Sequence, residues 1–313
     1  MRHIHSLEEA NLTGPSVVTI GSFDGVHRGH QYLIRQLIDN ARQTGRTPVV
    51  LTFYPHPRMV LRGFEPGYYL TAPDERAAYL AELGVELIIT HPFDDAVRQM
   101  RAADFVSRLA THLNMTGLWV GENFSLGYQR EGNVAFLKDR AADFGYELRV
   151  VHLVDANGER VSSTRIREAL AAGDVTEAQR LLGRPYRLPG TVVEGAKRGR
   201  TIGFPTANLD ISEERAVPAR GVYAAQAHTP DGTYPAMVNI GLRPTFGDTV
   251  VTSVEAFLMD YSGDLYGETL TLDFVARIRN EMKFSGVEAL IAQIQQDVAR
   301  GREILSVVDR SGD

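Results

Sequence analysis

The first half of the chain alternates short apolar runs with helical patterns. Residues 17–20, 49–53, 87–90, 118–120 and 148–153 read as buried strands. Between the first two, Leu33, Ile34, Leu37, Ile38 and Ala41 recur at helical spacing, and residues 102–113 and 134–144 carry further helical patterns. Strand–helix alternation of this kind predicts a parallel sheet covered on both faces. After about Arg184 the texture changes. Residues 191–194, 222–228, 234–240, 253–259 and 269–278 are successive strand-like runs separated by Gly, Pro and Asp, the pattern of an antiparallel barrel or sandwich. Leu290, Ile291, Ile294, Val298, Leu305 and Val308 then lie close to one helical stripe, so a terminal helix is expected to close the second domain. The join falls near residues 181–190, where a helical stretch ends at Gly183 and Pro185 follows. The expected division is a domain over 1–184 and another over 185–313.

Composition supports two ordinary globular domains and removes several classes. The chain has 313 residues, 43% hydrophobic and 23% charged, with 14 Pro and 29 Gly, which is neither disordered nor collagen-like. Its 33 Lys and Arg against 39 Asp and Glu leave a net charge of −6, which argues against a general nucleic-acid coating role. With no Cys there is no disulfide framework, thiolate metal site, iron–sulfur cluster or cysteine nucleophile. The opening segment MRHIHSLEEANLTGPS lacks the apolar core of a signal peptide, and no run approaches the ~18 apolar residues of a membrane helix. A soluble cytoplasmic protein with no nucleic-acid or membrane partner is expected.

The strand over 17–20 runs into GSFDGVHRGH at 21–30, and a helical pattern follows directly. Strand, Gly-rich turn and helix form a phosphate-binding arrangement, because glycines let the backbone approach a ligand and free N–H groups at the helix start attract anions. His27 and His30 would share one face of the first turn, where they could donate to phosphate oxygens during phosphoryl or nucleotidyl transfer. The same residues also suit a Gly turn with two surface histidines, or a metal-binding pair. TFYPHP at 52–57 places His56 just beyond the C-terminal end of a parallel strand, where open α/β sheets bind ligands; a rigid turn would look alike. VGENFSLGYQREG at 120–132 again leaves a strand into glycines and polar side chains, as a plain loop also would. VSSTRIREAL at 161–170 begins a helix with Ser163 and Thr164 as hydroxyl caps and brings Arg165 and Arg167 near its start, either to meet a polyphosphate or as a solvated surface.

Taken in order, GSFDGVHRGH, TFYPHP, GENFSLG and SSTRIR strongly resemble the prokaryotic bifunctional riboflavin kinase/FAD synthetase family, whose N-terminal module is a Rossmann-like nucleotidyltransferase with a His-x-Gly-His signature, matched by His27, Gly29 and His30. The resemblance implies that Gly21, Phe23, Asp24, His27 and His30 surround the ATP phosphates and that His56 reaches the same region. It further implies that Asn123 lies by the FMN and nucleotide cleft, and that Ser163, Thr164 and Arg167 belong to a flexible motif gripping the triphosphate. One departure is Leu126, where many relatives have Phe, which would alter flavin or adenine packing.

In the second half, GTVVEGAKRGRTIGFPTANL at 190–209 concentrates Gly195, Gly199 and Gly203 with Lys197, Arg198 and Arg200 before a Pro-Thr-Ala-Asn corner. A Gly-rich basic loop can cradle ATP phosphates, and the Thr206 hydroxyl and Asn208 carbonyl are hard ligands suited to Mg²⁺, although a basic hairpin connection has the same composition and no P-loop is present. Glu255 interrupts the apolar run of TSVEAFLMD, as a general base or as a residue on the solvated face, which the alternation of Val254, Ala256 and Leu258 favours. GRTIGFPTAN, GVYAA, NIGLRPTF, VEAFLMDYSGDLYG and RIRNEMKF follow the riboflavin kinase module of the same family, and this reverses the preference for Glu255. The resemblance implies that Thr206 and Asn208 bind Mg²⁺-ATP, with Glu255 activating the ribityl 5′-hydroxyl. Leu242 stands where relatives usually have Thr.

The implied protein is a two-step flavin cofactor enzyme: riboflavin and ATP give FMN in a C-terminal antiparallel barrel, and FMN with a second ATP gives FAD and pyrophosphate in an N-terminal parallel-sheet domain. The competing readings are a chain with one working site, a non-catalytic flavin- or nucleotide-binding regulator, and a different nucleotidyltransferase fused to an unrelated barrel.

Overall fold

The computed structural model of the chain describes residues 1–152, 160–195, 199, 202–244 and 250–310. Two compact units emerge, one of Met1–Glu65 and Tyr69–Ser163, the other of Pro66–Tyr68 and Thr164–Asp313.

In the first unit, β1 (Arg2–Ile4), β2 (Ser16–Ile20), β3 (Thr47–Tyr54), β4 (Leu87–Pro92) and β5 (Met115–Gly121) join β8 (Glu147–Val151) in a six-stranded sheet of order β1-β4-β3-β2-β5-β8. Every pairing is parallel. β6 (Ser125–Leu126) and β7 (Gly132–Asn133) make a separate two-stranded ribbon. Successive residues of a strand point to opposite faces, so β2 sends Val17 into one apolar layer and Val18 into another. The Val17 layer is completed by α1 (Arg28–Thr44) and α3 (Pro73–Glu82), through Leu33, Leu37 and Leu80. The Val18 layer is completed by α5 (Ala102–Leu113) and α6 (Val134–Asp139), through Phe105, Leu109 and Leu137. Short helices α2 (Pro57–Arg62) and α4 (Asp95–Gln99) follow β3 and β4. The helix expected over 134–144 stops at Asp139, and the chain then turns through Gly145 at φ 70°.

The second unit opens with α7 (Ser163–Ala172), whose first residue belongs to the other unit, and α8 (Val175–Leu182), ended by Gly183 at φ 76°. β9 (Tyr186–Val193), β10 (Ala207–Asp210), β11 (Gly221–Thr229), β12 (Gly232–Pro244), β13 (Val250–Leu258) and β14 (Thr269–Arg279) close into a barrel of order β10-β13-β12-β11-β14-β9, with every pairing antiparallel. Of the expected alternatives, barrel or sandwich, it is the barrel. Tyr223 meets Phe274 edge-on at 5.4 Å, while buried Ala225, Ala227, Ala236 and Ala256 leave room for these rings. α9 (Val287–Arg310) packs on β11, β12 and β14, where Val298 joins Val222, Met237 and Met259. The compact units divide at Ser163/Thr164, before the join expected after Arg184, because α7 and α8 are held to the barrel. Ala219 N–H donates to the Leu170 carbonyl at 2.8 Å and Arg277 Nη1 donates to the Ala172 carbonyl at 2.9 Å.

Candidate active sites

Between β2 and α1 the backbone makes a strained turn. Phe23 has φ 45°, Gly25 82° and Val26 40°; a β-branched residue in the left-handed region is a genuine outlier, of the kind that surrounding contacts must over-determine. Those contacts come from Asp24, whose side chain has no exposed surface. Its carboxylate accepts from Leu70 N–H at 3.0 Å, Thr71 N–H at 3.1 Å and the Thr71 hydroxyl at 3.3 Å, and lies 3.8 Å from the equally buried Arg76 guanidinium. Arg76 donates in turn to the Thr71 carbonyl and to the Thr52 hydroxyl, each at 3.2 Å, and Thr52 donates to the Ser22 carbonyl at 3.0 Å.

His27 follows this turn as the N-cap of α1. Its Nδ1 accepts from His30 N–H at 3.3 Å, which leaves Nε2 to carry the ring proton of the neutral form. The His27 and His30 rings stack with centroids 3.5 Å apart, and the Phe23 ring meets His30 edge-on at 5.1 Å. Burial, then the neighbouring His27 and then Arg76 hold the His30 pKa well below its ordinary 6.5. The neutral His30 imidazole, the His27 ring stacked on it and the amides at the start of α1 form a donor-rich end suited to an anion.

The other residues expected in the first half are distributed as follows. Gly21 is half-buried, and a Cβ there would press on the Phe23 ring at 3.2 Å. His56 caps α2, with Nδ1 accepting from Arg58 N–H at 3.1 Å, and its own N–H donates to the Tyr69 hydroxyl at 2.6 Å. Asn123 is exposed in a shallow concavity of about 330 Å³ shared with Phe124, Ser125, Arg130 and Asn133. The Ser163 hydroxyl, expected as a helix cap, donates to the Asp24 carbonyl at 2.8 Å. Thr164 is exposed, and Arg167 donates from Nε to the Tyr68 carbonyl at 2.6 Å with its guanidinium 3.8 Å above the Tyr68 ring; both belong to the second unit. The structure thus gathers Gly21, Phe23, Asp24, His27, His30 and Ser163 around one turn. Leu126 packs against the sheet core, close to Gly132, so its side chain is committed to that core. Sequence reasoning missed Arg76, Thr71 and Thr52. The available signal was Arg76 on the same helix face as Tyr79 and Leu80, a cation on an otherwise buried stripe.

On the barrel, cross-strand register brings Asn208 of β10, Glu255 of β13 and Asn239 of β12 into one row. Val254, Ala256 and Leu258 are buried, so alternation turns Glu255 to the outer surface as expected, but there it is half-buried between two amides. Phe204 packs edge-on against Phe257 at 5.3 Å, tying the Pro-Thr-Ala-Asn corner to the strand of Glu255. A Cβ on Gly195 would overlap the Asn208 amide, and one on Gly199 would overlap the Phe204 carbonyl while lying 3.5 Å from Thr206 Oγ1. Gly203 has φ 86°, a backbone that glycine alone adopts freely. Gly199, Pro205, Thr206 and Ala207 border a cleft of about 430 Å³ that residues 261–266 also line. Lys197, Arg198, Arg200 and Thr245 lie outside the described residues. Thr206 and Asn208 are half-buried neutral oxygen donors beside a carboxylate, a hard set that fits Mg²⁺ carried largely by phosphates and water. No group of three or more His, Asp or Glu arranged to hold a metal ion occurs among the described residues.

Comparison with known proteins places both regions. A family described as FAD synthetase matches residues 9–165, and one described as riboflavin kinase matches residues 182–305. A Pseudomonas fluorescens protein named bifunctional riboflavin kinase/FMN adenylyltransferase is 39% identical over 310 residues, 97% of each chain. Proteins of the same name from Listeria monocytogenes and Escherichia coli K12 are 38% and 36% identical, over 90% and 98% of each chain. A solved Streptococcus pneumoniae structure described as a macrolide-efflux protein superposes with a TM-score of 0.88 at 34% identity, covering 96% of this chain and 98% of that one. Among the described residues no helix is long and apolar enough to cross a membrane.

Proposed function

The chain belongs to the bifunctional riboflavin kinase/FMN adenylyltransferase family and uses ATP to convert riboflavin to FMN and FMN to FAD, and we propose that residues 185–313 carry the first reaction and residues 1–184 the second. ATP consumption in both steps fits a cytoplasmic location.

In the kinase reaction, Glu255 takes the proton of the riboflavin 5′-hydroxyl as that oxygen attacks the γ-phosphorus of ATP, and the bond to the bridging oxygen of ADP breaks. The observation that supports this role is the row Asn208–Glu255–Asn239, which holds one carboxylate beside the corner that borders the cleft. Gly195, Gly199 and Gly203 bring backbone amides to the ATP phosphates, and Lys197 and Arg200 supply charge. Thr206 and Asn208 would hold Mg²⁺, which when bound neutralises charge on the phosphates.

In the adenylyltransferase reaction, an FMN phosphate oxygen attacks the α-phosphorus of ATP and pyrophosphate leaves. The nucleophile is already anionic, so no base is required and catalysis is positioning plus charge stabilisation. His27 and His30, stacked on each other, donate ring N–H groups to the phosphates. Gly21 and Phe23 line the approach with backbone, while Asp24 shapes the turn from behind. By the family resemblance, His56, Ser163, Thr164 and Arg167 serve the triphosphate and Asn123 borders the FMN.

A chromatographic product assay with ATP, Mg²⁺ and either riboflavin or FMN tests the division. Glu255→Gln is expected to stop FMN formation and to leave FAD formation from supplied FMN intact. Loss of both activities in a folded Glu255→Gln protein would sink the assignment.

A further inference from the structure

Arg76 is fully buried, carries a charge and stands outside every motif that identifies the adenylyltransferase. Burying an arginine is costly unless a partner and hydrogen bonds compensate, so its presence there calls for a physical reason. Its guanidinium bridges three segments. It faces Asp24 of the strained turn at 3.8 Å, donates to the Thr71 carbonyl ahead of α3, and donates to Thr52 of β3, which itself holds the Ser22 carbonyl. Gly25 N–H is tied into the same set by the Thr71 hydroxyl at 3.0 Å. This clamp fixes the turn that presents the histidine pair.

Resting on the reading of His27 and His30 as phosphate donors, we propose that Arg76 is a positioning residue of the adenylyltransferase site: it locks the turn over Phe23–Val26 and holds the stacked imidazoles aimed at the nucleotide phosphates. Two independent features support it. The positive φ values of Phe23 and Val26 need external restraint, and the Asp24–Thr71–Arg76–Thr52 set supplies it. The charged and titratable groups acting on His30 are His27 at the start of its own helix and Arg76 from α3, with Asp24 paired to Arg76. Removing the guanidinium therefore also removes a cation that opposes imidazole protonation.

The test compares Arg76→Lys, which keeps the charge and loses the planar fork, with Arg76→Met, which loses both, in the full chain. Trp119, the single tryptophan, is buried in β5 of the same unit, so its fluorescence reports whether that unit is folded. FAD formation from FMN is expected to fall roughly 100-fold in Arg76→Met and less in Arg76→Lys, as displaced catalytic groups do, with FMN formation from riboflavin unchanged in both. The His30 ring titration followed by NMR, and with it the acid limb of the FAD-forming rate, should move to higher pH in Arg76→Met and stay in place in Arg76→Lys. A rate within twofold of the parent in Arg76→Met overturns the proposal. So does a slower rate with an unmoved His30 titration, which would make Arg76 merely structural. Should Arg76→Met lose the native Trp119 signal, Arg76→Lys and Thr52→Val decide: unchanged FAD formation in both overturns the proposal, and a selective loss in both upholds it. An unmoved rate in His27→Ala/His30→Ala would instead overturn the underlying reading of the histidines.

Discussion

Asp24 and Glu255 are both carboxylates with polar neighbours, and those neighbours differ in kind. Asp24 has no exposed surface and spends its oxygens on Leu70, Thr71 and Arg76, so its contribution is to structure. Replacing it with Ala strands a buried guanidinium, and a loss of roughly 3–5 kcal/mol in the first unit is expected from denaturant unfolding followed by Trp119 fluorescence. Glu255 is half-buried in register with Asn208 and Asn239, and the proposed kinase reaction gives it the substrate hydroxyl's proton. The histidine pair has its own signature: His27→Ala/His30→Ala should reduce FAD formation by about 100-fold or more while FMN formation continues, since lost charge-stabilising donors cost that much per group. Continued FAD synthesis at the parental rate would remove both histidines from the mechanism.

At the scale of elements, turns and edges carry the chemistry and helices hold them in place. Just after β9, Gly195 leaves no room for a Cβ beside the Asn208 amide of β10. Gly195→Ala should push Asn208 out of its row and raise KM for ATP in the kinase reaction about tenfold, the scale of one lost hydrogen bond to a charged group. FAD formation from FMN serves as the internal control. The terminal helix departs from a simple apolar stripe. Its most buried positions among the described residues are Asp297, Gly301 and Leu305, and Asp297 is held by Arg279 of β14 at 2.9 Å and by Gln293 at 2.9 Å. Asp297→Ala strips Arg279 of its carboxylate beneath the helix, so the kinase activity should inactivate at a lower temperature, with a stability loss of roughly 3 kcal/mol.

At the scale of the molecule, packing and chemistry divide the chain at different places. α7 carries Ser163, Thr164 and Arg167, which the resemblance gives to the adenylyltransferase, but Arg277, Tyr223 and Ala219 tie α7 and the turn after it to the barrel. A fragment starting at Thr164 should therefore melt above one starting at Pro185, measured by circular dichroism; equal melting would show that α7 and α8 add nothing to the barrel. The first unit also carries a pH signature. Burial is the largest influence on His3, His30 and His91 and lowers the pKa of each, so they resist protonation in the fold and protonate near 6.5 once unfolded. The unfolded chain then binds more protons, and the stability of this unit should fall as pH drops below about 6.5, read as a lower unfolding midpoint of Trp119 fluorescence.

Periodicity in the sequence determined the parallel sheet, the antiparallel second half and the terminal helix, because apolar runs and glycine and proline punctuation are local properties of the chain, and the two reactions came from the resemblance of its ordered motifs to a known family. The short strands Arg2–Ile4, at the edge of the parallel sheet, and Ala207–Asp210, within the closed barrel, escaped that reading, since so few residues carry no usable period. Tertiary structure alone decided closure of the barrel, the row that sets Glu255 between Asn208 and Asn239, and the membership of α7 and α8. It also decided the clamp of Asp24 by Arg76, residues far apart in sequence whose meeting depends on how loop, strand and helix pack. Register and burial are relations between distant segments, and no local pattern encodes which partner a buried charge will find.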